Sequence, residues 1–344
     1  MLVHLITSIE SGGAQRVMYE YLKAACHKEK HVVFYLKGAP FFRENLEKLN
    51  IDTYKVESIT NILTLLSFVR NAGIIKAWMY HACVVSSLLK LIMPKTRIVW
   101  SIHHGSIVKS DTISTKLFCN IASFFSSFVP AITIYPSLYC RNSHIKYGFN
   151  SVNNEIVFNP VDLDKFKLSR EPMHKKCSIG FCGRNHPNKR FDLFIESALK
   201  FCHHCDFVNF VVCGDGTSNS KVLEAVRAEG LSSRFVFLGE LDDVSQFYRD
   251  VDIFTSLSET ESFGLTLIEA YAAGCALVCT DIDVFRELFS DVPFYVCEPS
   301  VDAVIRAWKL SINSPLDPVD DIFLQQFSTN VFYERYSKII HETT

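Results

Sequence analysis

The segment from Ser256 to Gly274 brings together residue types that suit a phosphorylated sugar. It places Glu261 in a polar loop, Gly264 at a turn and Glu269 in the second turn of an apolar helix. A loop that enters a helix through small residues exposes backbone N–H groups at the positive end of the helix dipole, which is an anion site. Carboxylates do not bind phosphate, but an ionised carboxylate accepts two hydroxyl donors at once. The pattern therefore predicts a phosphate with sugar hydroxyls on both sides of it.

Two glutamates eight residues apart are also common on solvated helix faces, so the surrounding pattern decides between the two interpretations. An apolar run from Leu265 to Ala273 ends at Gly274 and is followed by the apolar strand Ala276 to Thr280. This arrangement is typical of a helix–strand unit with short loops. It favours a ligand-binding site at these glutamates over a solvated helix face.

The whole segment resembles the donor-binding signature of retaining glycosyltransferases of family 4, which have the GT-B fold. In that family the first glutamate contacts the donor sugar and the second contacts the ribose of the nucleotide. The resemblance therefore implies a catalytic role for Glu261 and a ribose contact for Glu269. It also implies that Phe263, Gly264 and Leu265 form the donor-binding loop.

A basic loop, Gly183 to Asp192, follows another apolar strand, Cys177 to Cys182. Arg184 offers bidentate geometry and Lys189 a point charge, and both suit a diphosphate, although many basic loops are merely solvated. The loop resembles the Gly-Arg…Lys motif of the same family. There the two cations neutralise the leaving diphosphate, so Gly183, Arg184 and Lys189 inherit places in the donor site. The family usually has glycine after this lysine, whereas Arg190 stands here and either alters the turn or adds a third cation.

Two further glycine pairs follow strands. Gly12 and Gly13 open a helix after the first strand and resemble the family's glycine loop, which lies under the donor phosphates. Gly214 and Gly216 also follow a strand, but Asn219 stands where a dinucleotide fingerprint has its third glycine. The second pair therefore argues against NAD binding.

Histidines occur at two places of interest. His103 and His104 end a strand, and His103 matches the family histidine that lies beside the donor sugar, although a lone histidine at a strand end is usually structural. Successive strand residues point in opposite directions, so these two should not share a metal ion. The run from Cys202 to Cys205 contains two cysteines and two histidines but lacks a second ligand pair at zinc spacing.

Apolar runs that are typical of strands alternate with helical runs along most of the chain, which indicates parallel sheets covered on both faces. We expect an α/β protein of GT-B type, with two doubly wound Rossmann-like domains and a ligand cleft between them. The domains are expected at 1–165 on the acceptor side and 166–327 around the nucleotide sugar, with a linker near 159–172. A terminal helix within 328–344 is expected to pack back towards the first domain. The ten expected strands are Leu2–Thr7, Val32–Leu36, Ile74–Trp78, Arg97–Ile102, Ala131–Tyr135, Cys177–Cys182, Val208–Cys213, Phe235–Leu238, Asp252–Thr255 and Ala276–Thr280.

Charge is distributed unevenly between the halves of this 344-residue chain. Residues 1–168 hold 19 basic and 11 acidic residues, a net +8, whereas the remainder is −10. The basic half should face an anionic partner, either a membrane surface or a diphosphate-bearing acceptor. No basic stripe is interleaved with aromatic residues, so nucleic acid is not expected. Twelve cysteines without a regular framework, and no signal peptide, indicate reduced thiols in the cytoplasm.

The stretch from Leu117 to Cys140 contains no charged residue. A membrane-spanning helix needs about 20 apolar residues, but Asn120 and Pro130 interrupt this one. We expect a helix that ends near Phe128 and a buried strand after it. An amphipathic helix that touches lipid at the inner face of the membrane is the more plausible membrane contact.

The resemblance, together with these features, implies a retaining glycosyltransferase that needs no cofactor or metal. It would move a hexose or N-acetylhexosamine from a nucleotide-diphosphate sugar, with UDP-sugars favoured, to a glycan or lipid-linked glycan in cell-surface polysaccharide or lipopolysaccharide assembly. One alternative is a sugar-nucleotide epimerase on the same fold, for which only Glu10 and Asp111 offer acid–base carboxylates in the first half. Another is a non-catalytic sugar-nucleotide-binding partner in an assembly complex, which the intact cations and glutamates disfavour.

Overall fold

The computed structural model of the protein describes residues 1–10, 12–107, 111–167, 177–313 and 319–342. These residues form two compact units, Met1–Pro160 with Gln326–Thr344 and Val161–Gln325. We call them the first and the second unit. Each is a parallel β-sheet covered by helices, as the alternating apolar runs predict. The expected linker at 159–172 runs past residue 167 and lies partly outside the described residues.

The first unit has seven strands and seven helices among its described residues. Its strands are β1 Leu2–Ile6, β2 His31–Tyr35, β3 Asp52–Lys55, β4 Ile74–Trp78, β5 Arg97–Ser101, β6 Ile132–Tyr135 and β7 Asn154–Ile156. Its helices are α1 Gly13–Ala25, α2 Arg43–Lys48, α3 Ile59–Ala72, α4 Met79–Ile92, α5 Ile113–Phe125, α6 Leu138–Tyr147 and the C-terminal α15 Thr329–Glu342. The strand order is β3-β2-β1-β4-β5-β6-β7.

The second unit is built in the same way. Its strands are β8 Cys177–Cys182, β9 Val208–Cys213, β10 Phe235–Gly239, β11 Ile253–Ser256, β12 Ala276–Thr280 and β13 Tyr295–Cys297. Its α-helices are α7 Leu163–Phe166, α8 Phe191–Cys202, α9 Ser220–Ala228, α10 Ser245–Arg249, α11 Leu265–Ala272, α12 Asp283–Leu288, α13 Val301–Asn313 and α14 Asp321–Gln325, with short 3₁₀ turns at Pro187–Lys189 and Ser232–Arg234. The strand order is β10-β9-β8-β11-β12-β13.

Both sheets reverse their winding direction once. The reversal lies between β1 and β4 in the first unit and between β8 and β11 in the second. Open α/β sheets bind ligands outside the carboxyl ends of their strands at such a switch point. The loops after β8 and β11 are those that carry the cations and glutamates singled out in the sequence.

All ten predicted strands are present, and each agrees with the structure within one residue at either end. The three additional strands, β3, β7 and β13, lie at sheet edges and have three to four residues each. Near the boundary, α7 belongs to the second unit, where Phe166 contacts Tyr248 with ring centres 5.6 Å apart. The chain therefore passes between units at Pro160 and Val161 rather than at residue 165.

The uncharged stretch forms the end of α5 and the buried strand β6. The helix ends at Phe125, three residues before the expected end at Phe128. Phe118 and Phe125 pack against the core, whereas Phe124 and Phe128 are 69% and 58% exposed. Within the described ranges, every helix is too short or too polar to cross a membrane.

The C-terminal helix α15 returns to the first unit and lies against α1. Ser328 precedes it, and its hydroxyl accepts a hydrogen bond from the Val331 amide, as expected of an N-cap residue. Phe332, Tyr336 and Ile340 are buried along one side of the helix, with the spacing of an apolar stripe.

The sheet face beneath α1 and α15 contains buried polar side chains. His31, His4 and Lys76 stand on the neighbouring strands β2, β1 and β4 and are 3% exposed or less. Lys76 Nζ lies 3.2 Å from the centre of the Tyr336 ring and 3.9 Å from that of Tyr21. Among the described residues it has no hydrogen-bond acceptor.

Burial is the largest influence on the pKa of Lys76. It lowers the pKa of this lysine well below the usual range, and Glu29 acts weakly in the opposite direction. Attraction to an aromatic ring is worth about 2 kcal/mol when desolvated, whereas burying an ammonium ion costs several kcal/mol. Burial therefore disfavours the charged form of the amine, and the three surrounding rings offset part of that cost. Burial also lowers the pKa of His4, and it lowers that of His31 to about 4.

We expect Lys76→Met to stabilise the protein by about 1–3 kcal/mol at neutral pH, the range for a buried polar group without a hydrogen bond. The unfolded chain protonates this lysine below about pH 10.4. Burial lowers its pKa well below that value in the folded protein, so the lysine destabilises the fold increasingly as pH falls below about 10.4. The variant should therefore show a weaker rise of unfolding free energy with pH, measured by denaturant titration between about pH 7 and pH 9.

Lys95→Met provides the matched control because Lys95 is exposed. It should leave both the unfolding free energy and its pH dependence unchanged. A Lys76→Met protein that is less stable than the wild type, with the same pH dependence, would mean that Lys76 is charged and satisfied in the folded state.

Candidate functional site

Two loops meet at the carboxyl ends of β8 and β11. Asn188, in the loop after β8, binds Thr260, in the loop after β11, through both ends of its amide. Its Nδ2 donates to the Thr260 carbonyl at 2.9 Å, and its Oδ1 accepts from the Thr260 amide at 3.1 Å. The Glu259 amide donates to the Asn188 carbonyl at 2.8 Å. These bonds hold the cation loop and the glutamate loop in fixed register.

Lys189 and Glu261 form an ion pair across these loops, 72 positions apart in the chain. The Lys189 ammonium and the hydroxyl of Ser258 both donate to Oε1 of Glu261, the latter over 2.8 Å. Lys189 is 26% exposed and Glu261 15% exposed, so the pair is partly shielded from water. The structure therefore joins one of the two cations expected at the diphosphate with the glutamate expected at the donor sugar.

Arg190 occupies the position where the related family has glycine. Its backbone is left-handed, with φ 50° and ψ 44°, which is a conformation that glycine adopts at no steric cost. Holding another residue there costs about 1–3 kcal/mol. The Arg190 guanidinium donates to the Leu257 carbonyl at 3.4 Å, and this bond offsets part of that cost. The turn is thus preserved, and a third cation is added beside it.

Gly183 and Arg184 begin the same loop. The Gly183 amide donates to the Cys213 carbonyl at 2.9 Å, and Arg184 is exposed. The Gly214 backbone passes so close to Gly183 that a Cβ added at Gly214 would lie 2.1 Å from the Gly183 carbonyl oxygen. Gly214 thus serves the close approach of two backbones. This geometry explains Gly214 without a dinucleotide.

Gly264 makes the turn into α11. Its φ is 95°, and an added Cβ would lie 2.7 Å from the Phe285 ring, so only glycine fits without strain. The helix begins at Leu265. The Leu267 amide donates to the Gly264 carbonyl at 3.0 Å, which leaves the Leu265 and Thr266 amides without an acceptor within the helix. The Phe263 side chain is buried. These two amides are the backbone groups that the expected anion site would use.

Glu269 lies one turn further along α11 and is 1% exposed. The hydroxyl of Tyr248 lies 3.0 Å from Oε2 of Glu269 and 3.1 Å from the Thr266 carbonyl oxygen. A buried carboxylate is costly unless it is hydrogen-bonded, and Tyr248 supplies one such bond. The sequence contains no signal that would have identified Tyr248. Asn188 and Ser258, in contrast, are polar residues within the recognised loops.

The first unit holds the other predicted site residues. Gly13 begins α1, and Gly12 precedes it with an extended backbone, so backbone strain does not explain that glycine. A Cβ at Gly12 would meet the flexible end of Gln15. Ser11, next to them in the glycine loop, lies outside the described residues.

His103 follows β5, and its Nε2 lies 2.7 Å from the hydroxyl oxygen of Ser101. Its ring stacks on Trp78, with ring centres 5.4 Å apart. Burial and the neighbouring Lys76 lower the pKa of His103 to about 3, so the imidazole is neutral. His104 pairs instead with Asp111, 3.2 Å away, so the two histidines have different partners.

The remaining candidates are engaged elsewhere. The Glu10 carboxylate accepts from the Ala39 amide at 3.0 Å, and Asp111 is paired with His104. Neither carboxylate considered for an epimerase therefore stands free for acid–base work. Cys202 is buried in the core, and His203 contacts Glu229 at 3.2 Å. Over the residues that the structure describes, no group of three His, Cys, Asp or Glu side chains is arranged to hold a metal ion.

Comparison with known families and proteins adds independent findings. Residues 176–310 match the family model described as glycosyl transferases, group 1. The O-antigen biosynthesis glycosyltransferase WclY of Escherichia coli is 22% identical over 98% of this chain and 97% of its own length. The lipopolysaccharide core biosynthesis mannosyltransferase LpsB of Rhizobium meliloti (strain 1021) is 30% identical over 41% of this chain and 44% of its own.

A solved structure shows the same architecture over the whole chain. The crystal structure of Anabaena Alr3699/HepE in complex with UDP and glucose matches this one with a TM-score of 0.85. Sequence identity is 17%, and the match covers 98% of each chain. The likeness includes both parallel sheets, and the fold is the GT-B fold.

Proposed function

We propose that the donor of this chain is a nucleotide-diphosphate sugar bound by the second unit. The premise is that the chain is a glycosyltransferase whose residues 176–310 form a group 1 glycosyl transferase domain. The observation that carries this proposal is the meeting of Lys189 and Glu261 at the switch point between β8 and β11. A cation and a sugar-binding carboxylate in contact suit a ligand that offers a phosphate and a hydroxyl on adjacent groups.

The parts of the donor can be assigned to individual residues. The diphosphate lies with Arg184, Lys189 and the first-turn amides of α11, because cations and a helix N-terminus both favour anions. The ribose hydroxyls donate to Glu269. The bonds from Lys189 and Ser258 both end on Oε1 of Glu261, so Oε2 is the oxygen that we assign to the hydroxyls of the transferred sugar.

The reaction that we propose is transfer with retention, on one face of the sugar. The departing phosphate oxygen helps to deprotonate the acceptor, so no side-chain nucleophile is needed, as the family resemblance implies. The chain's contribution is then electrostatic, since Arg184 and Lys189 stabilise the charge that develops on the leaving diphosphate. They would also take the place of a divalent metal. His103, held neutral, is assigned to the donor sugar by the same resemblance.

The relatives support a role in cell-surface polysaccharide assembly. WclY acts in O-antigen biosynthesis and LpsB in lipopolysaccharide core biosynthesis. Alr3699/HepE was crystallised with UDP and glucose, which favours a UDP-hexose or UDP-N-acetylhexosamine as donor here. We propose a glycan or lipid-linked glycan as acceptor. The corresponding location is the cytoplasmic face of the membrane.

The donor is tested by thermal-shift and hydrolysis measurements on the purified protein against a panel of UDP-, GDP- and ADP-sugars. We expect one nucleotide class to raise the melting temperature and to be hydrolysed slowly without acceptor. A protein that responds to none of them, with or without glycan acceptors, would contradict the proposed donor class.

A surface of the first unit supports docking on an anionic membrane. Four apolar residues on and just after α5 follow a repeat of four and seven positions, which puts them on one side of the helix. We call Ile113, Leu117, Phe124 and Phe128 the α5 stripe; they are 87%, 53%, 69% and 58% exposed. Residues 1–160 and 326–344 together carry a net +8, and residues 161–325 carry −10. The unit with the stripe is therefore also the basic unit.

We expect Glu269→Ala to weaken UDP binding by about 10–100-fold. Hydrogen bonds to a charged group are worth about 1.5–3 kcal/mol, and 1.4 kcal/mol is about tenfold in affinity. Isothermal titration with UDP measures the effect, and circular dichroism checks the fold. Glu259→Ala is the matched control, because Glu259 is an exposed glutamate in the loop that precedes α11. Wild-type UDP affinity in a folded Glu269→Ala protein would remove Glu269 from the site.

Arg184→Ala and Lys189→Ala should each lower kcat/KM by about 10²–10³, or about 2.7–4 kcal/mol, the scale for losing one preorganised charge stabiliser. The loss should be the same with EDTA present, because the two cations do the work of a metal. Lys221→Ala removes an exposed lysine of the same unit and should leave turnover unchanged. A strict requirement for Mg²⁺ in the wild-type enzyme would contradict this assignment.

Binding to vesicles should require anionic lipid and should decline as salt rises. Each well-placed Lys or Arg adds about 1 kcal/mol of attraction to an anionic surface, and the attraction is screened beyond about 8 Å at physiological salt. Ile113→Ser with Phe124→Ser should weaken the binding further, since both side chains would enter the interface. Flotation with vesicles of phosphatidylcholine, with and without phosphatidylglycerol, measures the effect.

Leu310→Ser with Ile322→Ser is the matched control for the α5 stripe. These two residues lie on the acidic second unit and are 60% and 86% exposed. They match the α5 stripe in exposure, but the unit that carries them is acidic rather than basic. They should not change vesicle binding. Equal binding to neutral and anionic vesicles would mean that the basic unit serves only a diphosphate-bearing acceptor.

A further inference from the structure

A chain of hydroxyl groups joins the C-terminal helix to His103. The hydroxyl of Tyr336, on α15, lies 2.5 Å from the hydroxyl oxygen of Ser101, at the end of β5. The same Ser101 oxygen lies 2.7 Å from Nε2 of His103. Tyr336 and Ser101 are both fully buried, so the bonds between them are protected from exchange with water.

The surroundings hold the two rings in place. Trp78 stacks on each of them, with ring centres 6.0 Å from Tyr336 and 5.4 Å from His103. The planes of the two rings are inclined by 8° and 22° to that of Trp78, and these contacts limit the movement of both rings.

A count of hydrogen-bond donors and acceptors assigns the protons along this chain of hydroxyl groups. If Tyr336 donates to Ser101 and Ser101 donates to Nε2, every hydroxyl proton is used and Nδ1 carries the imidazole proton. The reverse direction leaves the Tyr336 proton buried without an acceptor among the described residues and leaves Nδ1 bare. The first arrangement therefore satisfies more groups.

Asn159 lies beside the same ring, and its side chain raises the pKa of His103 against the larger effects of burial and Lys76. The Asn159 Oδ1 and the His103 Nδ1 are both buried, and neither has a hydrogen-bond partner among the described residues. Nδ1 therefore lacks a partner in either arrangement, and the direction of the hydroxyl chain decides whether the Tyr336 proton is unpaired as well.

We propose that Tyr336 and Ser101 are positioning residues that fix the ring of His103 and its neutral tautomer with the proton on Nδ1. The proposal rests on the role assigned to His103 in the proposed function. It adds that the C-terminal helix takes part in transfer through this histidine, without contacting donor or acceptor itself. Nδ1–H is then the one ring group outside the hydroxyl chain that can donate to a ligand oxygen or to Asn159.

The direct test is nitrogen NMR of the full-length protein labelled with ¹⁵N-histidine. The His103 signals are identified by their absence in His103→Ala. In the wild type, long-range proton correlations should show a protonated Nδ1 and an unprotonated Nε2. Tyr336→Phe, which keeps the ring stack and removes only the hydroxyl, should shift both nitrogens towards a mixture of tautomers. A wild type with the proton on Nε2, or a Tyr336→Phe protein with unchanged shifts, would overturn the proposal.

Tyr21→Phe is the matched control. Tyr21 is equally buried, also packs on Lys76, and its hydroxyl has no hydrogen-bond partner among the described residues. Removing that hydroxyl should leave the His103 signals and turnover unchanged. A shift as large as that of Tyr336→Phe would show that any change in this aromatic cluster disturbs His103, and would contradict a specific chain of hydroxyls.

Turnover separates positioning from mere stability. Tyr336→Phe and Ser101→Ala should each lower kcat by about tenfold, the worth of one hydrogen bond, with little change in KM for the fastest UDP-sugar of the panel. In a His103→Ala background Tyr336→Phe should have no further effect, because both act through the same ring. An additive loss there would assign Tyr336 to stability alone. Full activity of His103→Ala would contradict the role of His103 itself, while the NMR result would still decide the tautomer.

Discussion

The ion pair between Lys189 and Glu261 is the interaction on which the second unit's site depends. The two residues reach each other only because β8 and β11 are neighbours at the switch point of the sheet, although 72 positions separate them in the chain. The Asn188 amide fixes the register of their loops, and Arg190 accepts a left-handed backbone to let Lys189 point inward. The pair also creates a conflict in the proposed site, since the diphosphate of the proposed donor would compete with Glu261 for the same cation.

This conflict has a consequence for how donor and sugar are held. Without ligand, Glu261 neutralises Lys189 and keeps a partly buried cation satisfied. If the donor is the proposed nucleotide-diphosphate sugar, its diphosphate would share Lys189, and the carboxylate would be freer to accept hydroxyl donors from the sugar. Binding energy from the diphosphate would then be coupled to the carboxylate that we assign to the reacting sugar, which is where interactions raise turnover most.

The sequence alone was sufficient to predict the parts of the fold that are deeply buried. Interior strands such as β8 and β12 are continuous apolar runs, and the predicted ends agree with the structure. The edge strands β3, β7 and β13 were not predicted, because a strand paired on one side needs little apolar pattern and is short. The recognised loops brought Lys189 and Glu261 to the same place, but their direct contact depends on a strand order that no local pattern encodes.

The first unit was less predictable for a different reason. Lys76 stands in a central strand where the run Ile-Ile-Lys-Ala-Trp gives no sign of how deeply it is buried. Its lowered pKa, and the link from Tyr336 to His103, both depend on α15 returning to cover this face. The capping Ser328 and the apolar spacing predict that helix, but contacts across more than 200 residues of chain are not visible in local sequence.

The binding of UDP to Glu261→Gln tests the central claim most directly. Glutamine keeps the shape and the bond to Ser258 but removes the charge that competes for Lys189. We predict that the variant binds UDP at least as tightly as the wild type by isothermal titration, while kcat for sugar transfer falls. If UDP affinity falls together with kcat, Glu261 supports the diphosphate site instead of competing with it, and the account of the ion pair is wrong.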